Sequence, residues 1–326
     1  MPACAASLAS STCTRSRISS GWLGRVASLA PPEGSDGTER LLPRCRFPSP
    51  GTGVACAVSG GPDSMALMVL AVAAGLEVEA VHVDHGLRDG SAAEAGVVAA
   101  AAERFGATFR SVRSPVAAGA NVEARARAAR YAALPPGVLT GHTADDQAET
   151  MVLNLLRGAG LDGLAGIRAS TRRPLLALRR HETATLCHDL GLEVVDDPSN
   201  RDPSIRRNEV RHRLLPLASE VAERDVVPVI ARQAELLRDE ADLLDGLAAA
   251  IDVTDAQAVA EAPVALARRA VRRWIAAYDD ERHPPDLAAV DRVLAVARGE
   301  VTACEVAGGV RIARTAGRLR VERPTP

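Results

Sequence analysis

Residues 54–64 read Val54-Ala55-Cys56-Ala57-Val58-Ser59-Gly60-Gly61-Pro62-Asp63-Ser64, an apolar run followed by a tight Gly-Gly turn. Gly60 and Gly61 permit backbone conformations that are closed to other residues and let the main chain approach a ligand closely. The helix predicted from about Met65 points unpaired N–H groups at this turn, and its dipole favours an anion. Ser59 and Ser64 add hydroxyl donors. The stretch therefore predicts a strand, a phosphate-binding turn and a helix.

This turn is not the P-loop of common nucleotide triphosphatases, because the GxxxxGKS/T pattern of that loop needs a lysine. The chain has no lysine, so all 39 of its Lys and Arg residues are arginine. Phosphate would therefore be held by backbone amides, hydroxyls and arginine. The formal net charge of −2 excludes a generally basic nucleic-acid binder, so any nucleic-acid surface must be local.

Composition limits the class of protein further. A length of 326 residues predicts two domains. The six cysteines show neither a CxxC pair nor a metal-ligand spacing, which favours a reduced, cytoplasmic protein. No apolar stretch is long and uncharged enough to span a membrane, so we expect no membrane partner.

Short apolar runs alternate with Ala-rich helical segments from Gly53 to about Val195, which predicts an α/β fold. The expected architecture is a Rossmann-like parallel sheet with helices on both faces. The predicted strands are Val54–Val58, Val78–Val83, Thr108–Val112, Val138–Thr140 and Glu193–Val195. The predicted helices are Met65–Ala74, Ala92–Phe105, Asn121–Ala133, Ala144–Arg157 and Arg180–Leu190. Ligands of such sheets bind beyond the carboxyl ends of the strands.

Three divisions of the chain are predicted. Residues 1–48, rich in Ser, Arg, Pro and Gly, are expected to be a disordered extension or the product of a start codon placed too far upstream. Residues 49–216 form the α/β domain. Residues 217–326 form a smaller, mainly helical C-terminal domain, and their tail, Cys304–Val321, alternates apolar and polar residues, which predicts a short hairpin.

Acidic and polar groups follow two of the predicted strands. His82–Arg88 could hold a polar substrate, although an ordinary polar strand–helix turn explains it equally well. Asp145, Asp146 and Glu149 lie at the start of a helix, where capping and the helix dipole would account for them. Beside a nucleotide, however, such carboxylates are what Mg²⁺ needs.

Arginines occur in two further segments. Arg127 and Arg130 share one helix face and could neutralise phosphate or could form a solvated basic face. Five arginines fall within the 13 residues 201–213, a density that suits RNA backbone contact, although such charge runs are usually solvated.

Together these segments resemble the tRNA(Ile)-lysidine synthases, a family of the PP-loop (N-type) ATP pyrophosphatase superfamily. The resemblance runs in order from about residue 53 to residue 216. Its motifs are Ser59–Ser64 (SGGxDS), His82–Arg88 (HVDHGLR), Glu123–Tyr131 (EAxAREARY), Gly141–Thr150 (GHxxDDQAET), Asn154–Leu164 (NLLRGxGLxGL), Arg173–Leu176 (RPLL), Asp197–Asn200 (DxSN) and Arg207–Pro216 (RNxxRxxLLP). SGGxDS alone specifies the superfamily, and the later motifs specify the subfamily.

The resemblance implies a ligase that forms a C–N bond. ATP would adenylate the C2 oxygen of cytidine-34 in the CAU anticodon of tRNA(Ile) and release pyrophosphate. The ε-amine of free L-lysine would then attack C2 and displace AMP. The product, lysidine, pairs with A rather than G, so codon specificity changes from AUG to AUA. Residues 49–216 would be the catalytic domain, and residues 217–326 would contact the tRNA.

The resemblance also implies roles for individual residues. ATP would be bound by Ser59, Gly60, Gly61, Pro62, Asp63 and Ser64, with His82 on the adenine side. Asp63 and Asp146 would hold Mg²⁺. The implied catalytic residues are Asp63, Asp145, Asp146, Arg127 and Arg207, and the implied substrate or tRNA contacts are His85, Arg88, Arg130, Asn200, Asn208 and Arg211. The base and the lysine ligands stay open among Asp84, Asp145, Asp146 and Glu149.

Three alternatives compete with this interpretation. PP-loop tRNA thiolases generally use cysteine chemistry or an iron–sulfur cluster on CxxC, which this chain lacks. Synthetases of NAD, GMP or argininosuccinate share SGGxDS but not the later motifs. A non-enzymatic nucleotide-binding module would need neither Asp145 and Asp146 nor the basic segment 201–213. The sequence leaves the oligomeric state open and is compatible with a homodimer. A further C-terminal module found in longer family members is expected to be absent.

Overall fold

The structure is a computed structural model that describes residues 35–84, 91–114, 125, 128–129, 132–278, 285–306 and 309–322. The strands in these ranges are β1 (Gly53–Ala57), β2 (Glu77–Asp84), β3 (Thr108–Arg113), β4 (Ala303–Val306), β5 (Val310–Thr315) and β6 (Arg318–Glu322). The α-helices are α1 (Ser35–Leu41), α2 (Pro62–Ala73), α3 (Ser91–Phe105), α4 (Ala144–Leu156), α5 (Leu161–Leu164), α6 (Arg180–Asp189), α7 (Arg206–Glu209), α8 (Leu215–Val221), α9 (Val227–Ala249), α10 (Ala256–Glu261), α11 (Val264–Ala276) and α12 (Leu287–Arg298). Short 3₁₀ turns cover Leu42–Arg44 and Pro198–Arg201, and a π-helical turn, Val210–Leu214, joins α7 to α8.

Strands β1, β2 and β3 form a parallel sheet in that order, which confirms the first three predicted strands and the α/β class. The fourth predicted strand is reduced to one parallel bridge, between Leu139 and Cys56 at the free edge of β1. The fifth prediction, Glu193–Val195, is wrong. Val195 donates its N–H to the carbonyl of Gly60 at 3.0 Å. This segment therefore packs on the turn formed by residues 59–64, which we call the phosphate turn, instead of extending the sheet.

Helix α2 is the centre of the larger core. Every residue from Met65 to Ala71 is buried, because α2 packs on β1 and β2 and is covered by α3 and α6. With aromatic residues at only 2% of the chain, aliphatic side chains and alanine supply this packing. The buried helix fixes the position of the turn that precedes it.

The beginning of the described chain differs from the prediction for residues 1–48. Residues 35–44 are helical, Leu41 is fully buried in the core around α2, and Cys45 and Phe47 pack against that core. Residues 35–48 are therefore part of the folded unit, because their apolar side chains complete its core. Residues 1–34 lie outside the described residues, as does most of the predicted helix Asn121–Ala133.

The C-terminal region has a second core between α10, α11, α12 and an antiparallel sheet ordered β4-β5-β6. Its central side chains include Val271, Val290 and Ile312. The predicted hairpin has three strands instead of two. The turn between β5 and β6 is formed by Ala316 and Gly317, which both have positive φ, as a tight two-residue hairpin turn requires. Among the described residues, no helix is long and apolar enough to cross a membrane.

Candidate active site

The phosphate turn is built by its own side chains. The Ser64 hydroxyl accepts the N–H of Ser59 at 3.1 Å and donates to the carbonyl of Gly61 at 2.8 Å. Gly61 caps α2, and Pro62 begins the helix, a position that suits proline because no N–H is needed there. The helix closes at once, because the N–H groups of Ser64 and Met65 both donate to the carbonyl of Gly61, at 3.1 and 3.0 Å.

Two glycines permit close approach of backbone segments around this turn. Gly60 has φ +89°, and a Cβ there would lie 2.5 Å from Cγ2 of Val195. A Cβ on Gly141 would lie 2.5 Å from the carbonyl oxygen of Asp63. These contacts explain why glycine stands at both positions, and they bring the Gly141–Thr150 motif against the start of α2.

We expect Gly60→Ala to lower the free energy of unfolding by about 1–3 kcal/mol, since alanine would be strained at this φ and would collide with Val195. Urea denaturation measures the loss. Gly61→Ala is the matched control, because Gly61 has φ −70° and the nearest atom to a Cβ, Oγ of Ser59, is 3.8 Å away. Its effect should stay within about 0.5 kcal/mol. Equal losses in the two variants would contradict this account.

Asp146 has two tasks at the start of α4. One oxygen, Oδ2, accepts the N–H of Thr143 at 2.8 Å and its hydroxyl at 3.1 Å, which caps the helix. The other oxygen, Oδ1, lies 3.1 Å from Nη2 of Arg180 and 3.3 Å from Nη2 of Arg207. Asp146 therefore both caps α4 and pairs with the arginines of the site.

Arg180 joins the acidic groups of α2 and α4, and sequence analysis overlooked it. Its guanidinium lies 3.4 Å from Asp63, 3.1 Å from Asp146 and 2.9 Å from Glu149. Arg180 is the first residue of α6, where the helix dipole disfavours a cation. An arginine pair, Arg179-Arg180, at the start of a predicted helix was thus a signal that acidic partners lie nearby.

Glu149 is the anion at the centre of this cluster. Its side chain is fully buried and lies 2.7 Å from Nε of Arg207, 2.7 Å from Nε of Arg211 and 2.9 Å from Nη1 of Arg180. Burial alone would raise the pKa of Glu149. The hydrogen bonds and charges of the three arginines outweigh burial and lower that pKa to about 2. Glu149 is therefore ionised at neutral pH.

The pKa of Asp63 is shifted in the opposite direction from that of Glu149. Burial raises its pKa to about 6, although the Thr183 hydroxyl and Arg180 both stabilise the carboxylate. A carboxyl group in this condition gains much from a cation that replaces its lost hydration. Asp63 and Asp146 share Arg180 as a partner, so two carboxylates converge beside the phosphate turn. Two carboxylates with phosphate and water oxygens form the donor set that Mg²⁺ prefers.

Asp145 points to a different neighbour. It accepts from Nε and Nη2 of Arg179 at 3.0 and 3.1 Å and from the backbone N–H of Arg180 at 2.8 Å. Burial tends to raise the pKa of Asp145, but these donors outweigh it and lower the pKa. Arg179 also pairs with Asp225. Asp145 thus fastens α6 to α4 and orients Arg180.

The predicted tRNA contacts of the described chain lie in different settings. Arg211 pairs with Glu149 in the site, as does Arg207, a predicted catalytic residue, and Asn200 is exposed on the 3₁₀ turn. Asn208 is buried and donates to the carbonyls of Ser199 and Asp202 at 2.8 and 2.9 Å. Its amide hydrogens hold that loop, and its role as a tRNA contact stays a prediction.

His82 is buried at the end of β2. Its Nδ1 lies 2.9 Å from the carbonyl of Val58, directly before the phosphate turn, and therefore carries the hydrogen. Its Nε2 has no hydrogen-bond partner within the described chain. His85, Arg88, Arg127 and Arg130 lie outside the described residues, so their predicted roles are untested.

The described cysteines offer no reactive thiol in the site. Burial raises the pKa of Cys45, Cys56 and Cys187 to about 12 in each case, so these groups stay protonated. Cys187 donates weakly to the carbonyl of Pro62. The described residues also contain no group of three or more His, Cys, Asp and Glu side chains that could hold a metal ion on its own.

The parallel sheet and the lysine-free phosphate turn define a PP-loop domain, and a PP-loop family model matches residues 38–218. The chain is 41% identical over 299 residues to the tRNA(Ile)-lysidine synthase of Nocardia farcinica, covering 85% of this chain and 94% of the relative. It is 42% identical over 238 residues to that of Rhodococcus erythropolis, covering 68% and 73%. This protein therefore belongs to the tRNA(Ile)-lysidine synthase family.

A solved structure shares the fold. The U34-tRNA thiolase NcsA from Methanococcus maripaludis aligns with a TM-score of 0.50 and 16% identity, over 63% of this chain and 78% of its own. At this identity the likeness concerns the fold alone. The family match from residue 38 agrees with the packing of residues 35–48 on the core.

Proposed function

We propose that this protein is a ligase that joins free L-lysine to C2 of cytidine-34 in tRNA(Ile) bearing the CAU anticodon, with ATP as co-substrate. The observation that carries the proposal is the convergence of Asp63, Asp146 and Glu149 with three arginines beside a phosphate turn. Such a site can bind a nucleotide, a metal ion and a cationic amino acid together. Since ATP and tRNA are cytoplasmic substrates, we expect the protein to act in the cytoplasm.

ATP would bind with its phosphates at the turn formed by residues 59–64, where the start of α2 favours an anion. Asp63 and Asp146 would hold Mg²⁺, which when bound neutralises charge on the phosphate oxygens. Adenylation of the cytidine oxygen releases pyrophosphate, whose developing charge needs fixed cations. Arg180 and Arg207, already oriented by the carboxylates, supply them from the protein.

L-Lysine then displaces AMP through its ε-amine, which must first lose a proton. A general base works best when its pKa lies near the operating pH. Arginines lower the pKa of both Asp145 and Glu149, which makes these carboxylates weak proton acceptors. We therefore favour Asp84 as the base, since Asp146 is assigned to Mg²⁺ and to the cap of α4. The buried, anionic Glu149 would instead fix the arginines and add negative potential for the lysine cation.

The test incubates purified protein with ATP, radiolabelled L-lysine and unmodified tRNA(Ile) carrying CAU. We expect lysine to enter the tRNA only when ATP is present. A tRNA(Met) with the same anticodon is the matched control and should accept much less lysine if the tRNA body is read. Thiolation of a tRNA, or nucleotide binding without lysine transfer, would refute the proposal in favour of the thiolase or the binding module.

A further inference from the structure

The charged site is the cluster of Asp63, Asp146 and Glu149 with their three arginines, and we call α4, which carries two of these carboxylates, the catalytic helix. The motif Asn154–Leu164 takes no part in the charged site. It continues into a loop that hydrogen bonds hold against α4. We call residues 158–168 the connector segment. Asn154 donates its amide to the carbonyl of Gly163 at 2.8 Å. Gln147 donates to the carbonyl of Ile167 at 3.2 Å and accepts the Ile167 N–H at 2.6 Å. Because Gln147 lies directly after Asp146, the connector segment is fastened to the part of α4 that carries the site.

The other side of the connector segment is held by α9 and α11. Arg269 of α11 bridges Asp162 of the segment and Asp245 of α9, the latter at 2.5 Å. Arg168 forms a bidentate pair with Asp242 at 2.7 and 2.6 Å. The backbone is held as well, since the carbonyl of Gly166 accepts from Arg238 at 2.9 Å. The segment therefore joins the catalytic helix to the C-terminal helical region.

The central side chain of this junction, Arg269, is largely buried. The Arg269 side chain is only 12% exposed, whereas its neighbour Arg268 is 41% exposed and pairs with Asp291 inside the C-terminal region. Helix α9 buries Ala234, Ala241 and Ala248 at seven-residue spacing, which lets it pack closely against α4, α5 and α11. A Cβ on Gly166 would lie 2.7 Å from Oε1 of Gln147, so the backbone of the connector segment lies directly against the Gln147 side chain of α4.

We propose that the connector segment sets the C-terminal helical region at a fixed position relative to the catalytic helix, and that Arg269 and Asp162 are positioning residues for the RNA substrate. This inference rests on the proposed function. ATP and lysine would bind at the charged site, to which Asp162 and Arg269 make no ion pair. A tRNA is large enough to touch both regions, so its reactive base is misplaced when they shift. Small misplacements of a reacting group are costly.

The experiment compares Arg269→Met and Asp162→Asn with the matched control Arg268→Met, which breaks a pair within the C-terminal region only. Lysine incorporation is measured while tRNA, ATP and lysine are varied in turn. We expect the first two variants to lower kcat/KM for tRNA by about 10-fold or more, with KM for ATP and KM for lysine within about 2-fold of wild type. Arg268→Met should leave all three within about 2-fold. A merely structural role would move the three constants together.

Two results would overturn the inference: changes of equal size in all three constants, or equal effects of Arg269→Met and Arg268→Met. If Arg269→Met does not fold, Asp162→Asn, which changes the exposed partner, decides the question. Hydrogen exchange of residues 158–168 tests the junction without any activity. Exchange should be faster in both junction variants than in the control, and unchanged exchange would refute the junction. Failure of the wild type to incorporate lysine would instead refute the proposed function.

Discussion

Replacing Asp63 by asparagine is expected to lower ATP-dependent lysine incorporation by about 100- to 1000-fold, the loss typical of removing one fixed group that stabilises transition-state charge. The variant keeps the shape of the side chain but loses the carboxylate that faces Arg180 and Thr183 beside the phosphate turn. Initial rates at saturating ATP, lysine and tRNA measure this effect. Activity within about 3-fold of wild type would refute the role assigned to Asp63.

Stability provides the control for Asp63→Asn. Because the pKa of Asp63 is raised to about 6 in the folded protein, folding favours its neutral form. Its contribution to stability is therefore greatest below the unfolded pKa of about 4 and is lost as pH rises through about 6. Asparagine stays neutral. The variant should thus unfold at pH 7, without metal, at a temperature equal to or above that of the wild type, and a lower temperature would contradict this.

Glu149→Gln should have the largest effect on stability. The change leaves Arg180, Arg207 and Arg211 without their buried central anion, and breaking such a cluster costs about 3–5 kcal/mol. Lysine incorporation should be lost as well, because two of these arginines are proposed to act on the substrates. Glu209→Gln is the matched control. It breaks an exposed pair with Arg213 and should cost less than about 1 kcal/mol.

A second test is the pH dependence of the difference in free energy of unfolding between wild type and Glu149→Gln. The pKa of Glu149 is lowered to about 2, so its stabilising contribution is fully present above the unfolded pKa of about 4.5. The contribution is lost as pH falls through about 2. Urea denaturation of wild type and Glu149→Gln should show a constant gap in the free energy of unfolding from pH 5 to 8, which narrows below about pH 4.5 and closes near pH 2. A gap that stays constant down to pH 2.5 would contradict an ionised Glu149.

The site could be predicted from the sequence as far as single motifs allow. Asp63, Asp146 and Arg207 lie in motifs whose order along the chain matches the family, and the fold brings them together. Arg180 was missed because an arginine pair at a helix start signals acidic partners without identifying them, and its partners are set by the way α6 packs on α2 and faces α4. Asn208 was assigned with its neighbours, but on α7 it faces the loop at residues 199–202 instead of the site.

The fold shows the same division between local and tertiary information. Alternation of apolar runs and helices predicted β1, β2 and β3, which pair in a parallel sheet, with the central strand β2 the most buried of the three. Glu193–Val195 has the composition of a strand, but its backbone bonds to the Gly60 turn. Residues 35–48 have a polar composition, from which the burial of Leu41 and the packing of Phe47 could not be predicted. The structure shows that these two side chains complete the core.

The most direct test of the central claim is mass spectrometry of ribonuclease-digested tRNA(Ile) after reaction with the protein, ATP and L-lysine. We predict a single added lysine on cytidine-34, with one AMP and one pyrophosphate released for each lysine bound. Sulfur at that position, lysine at another nucleotide, or release of ADP in place of AMP would contradict the account.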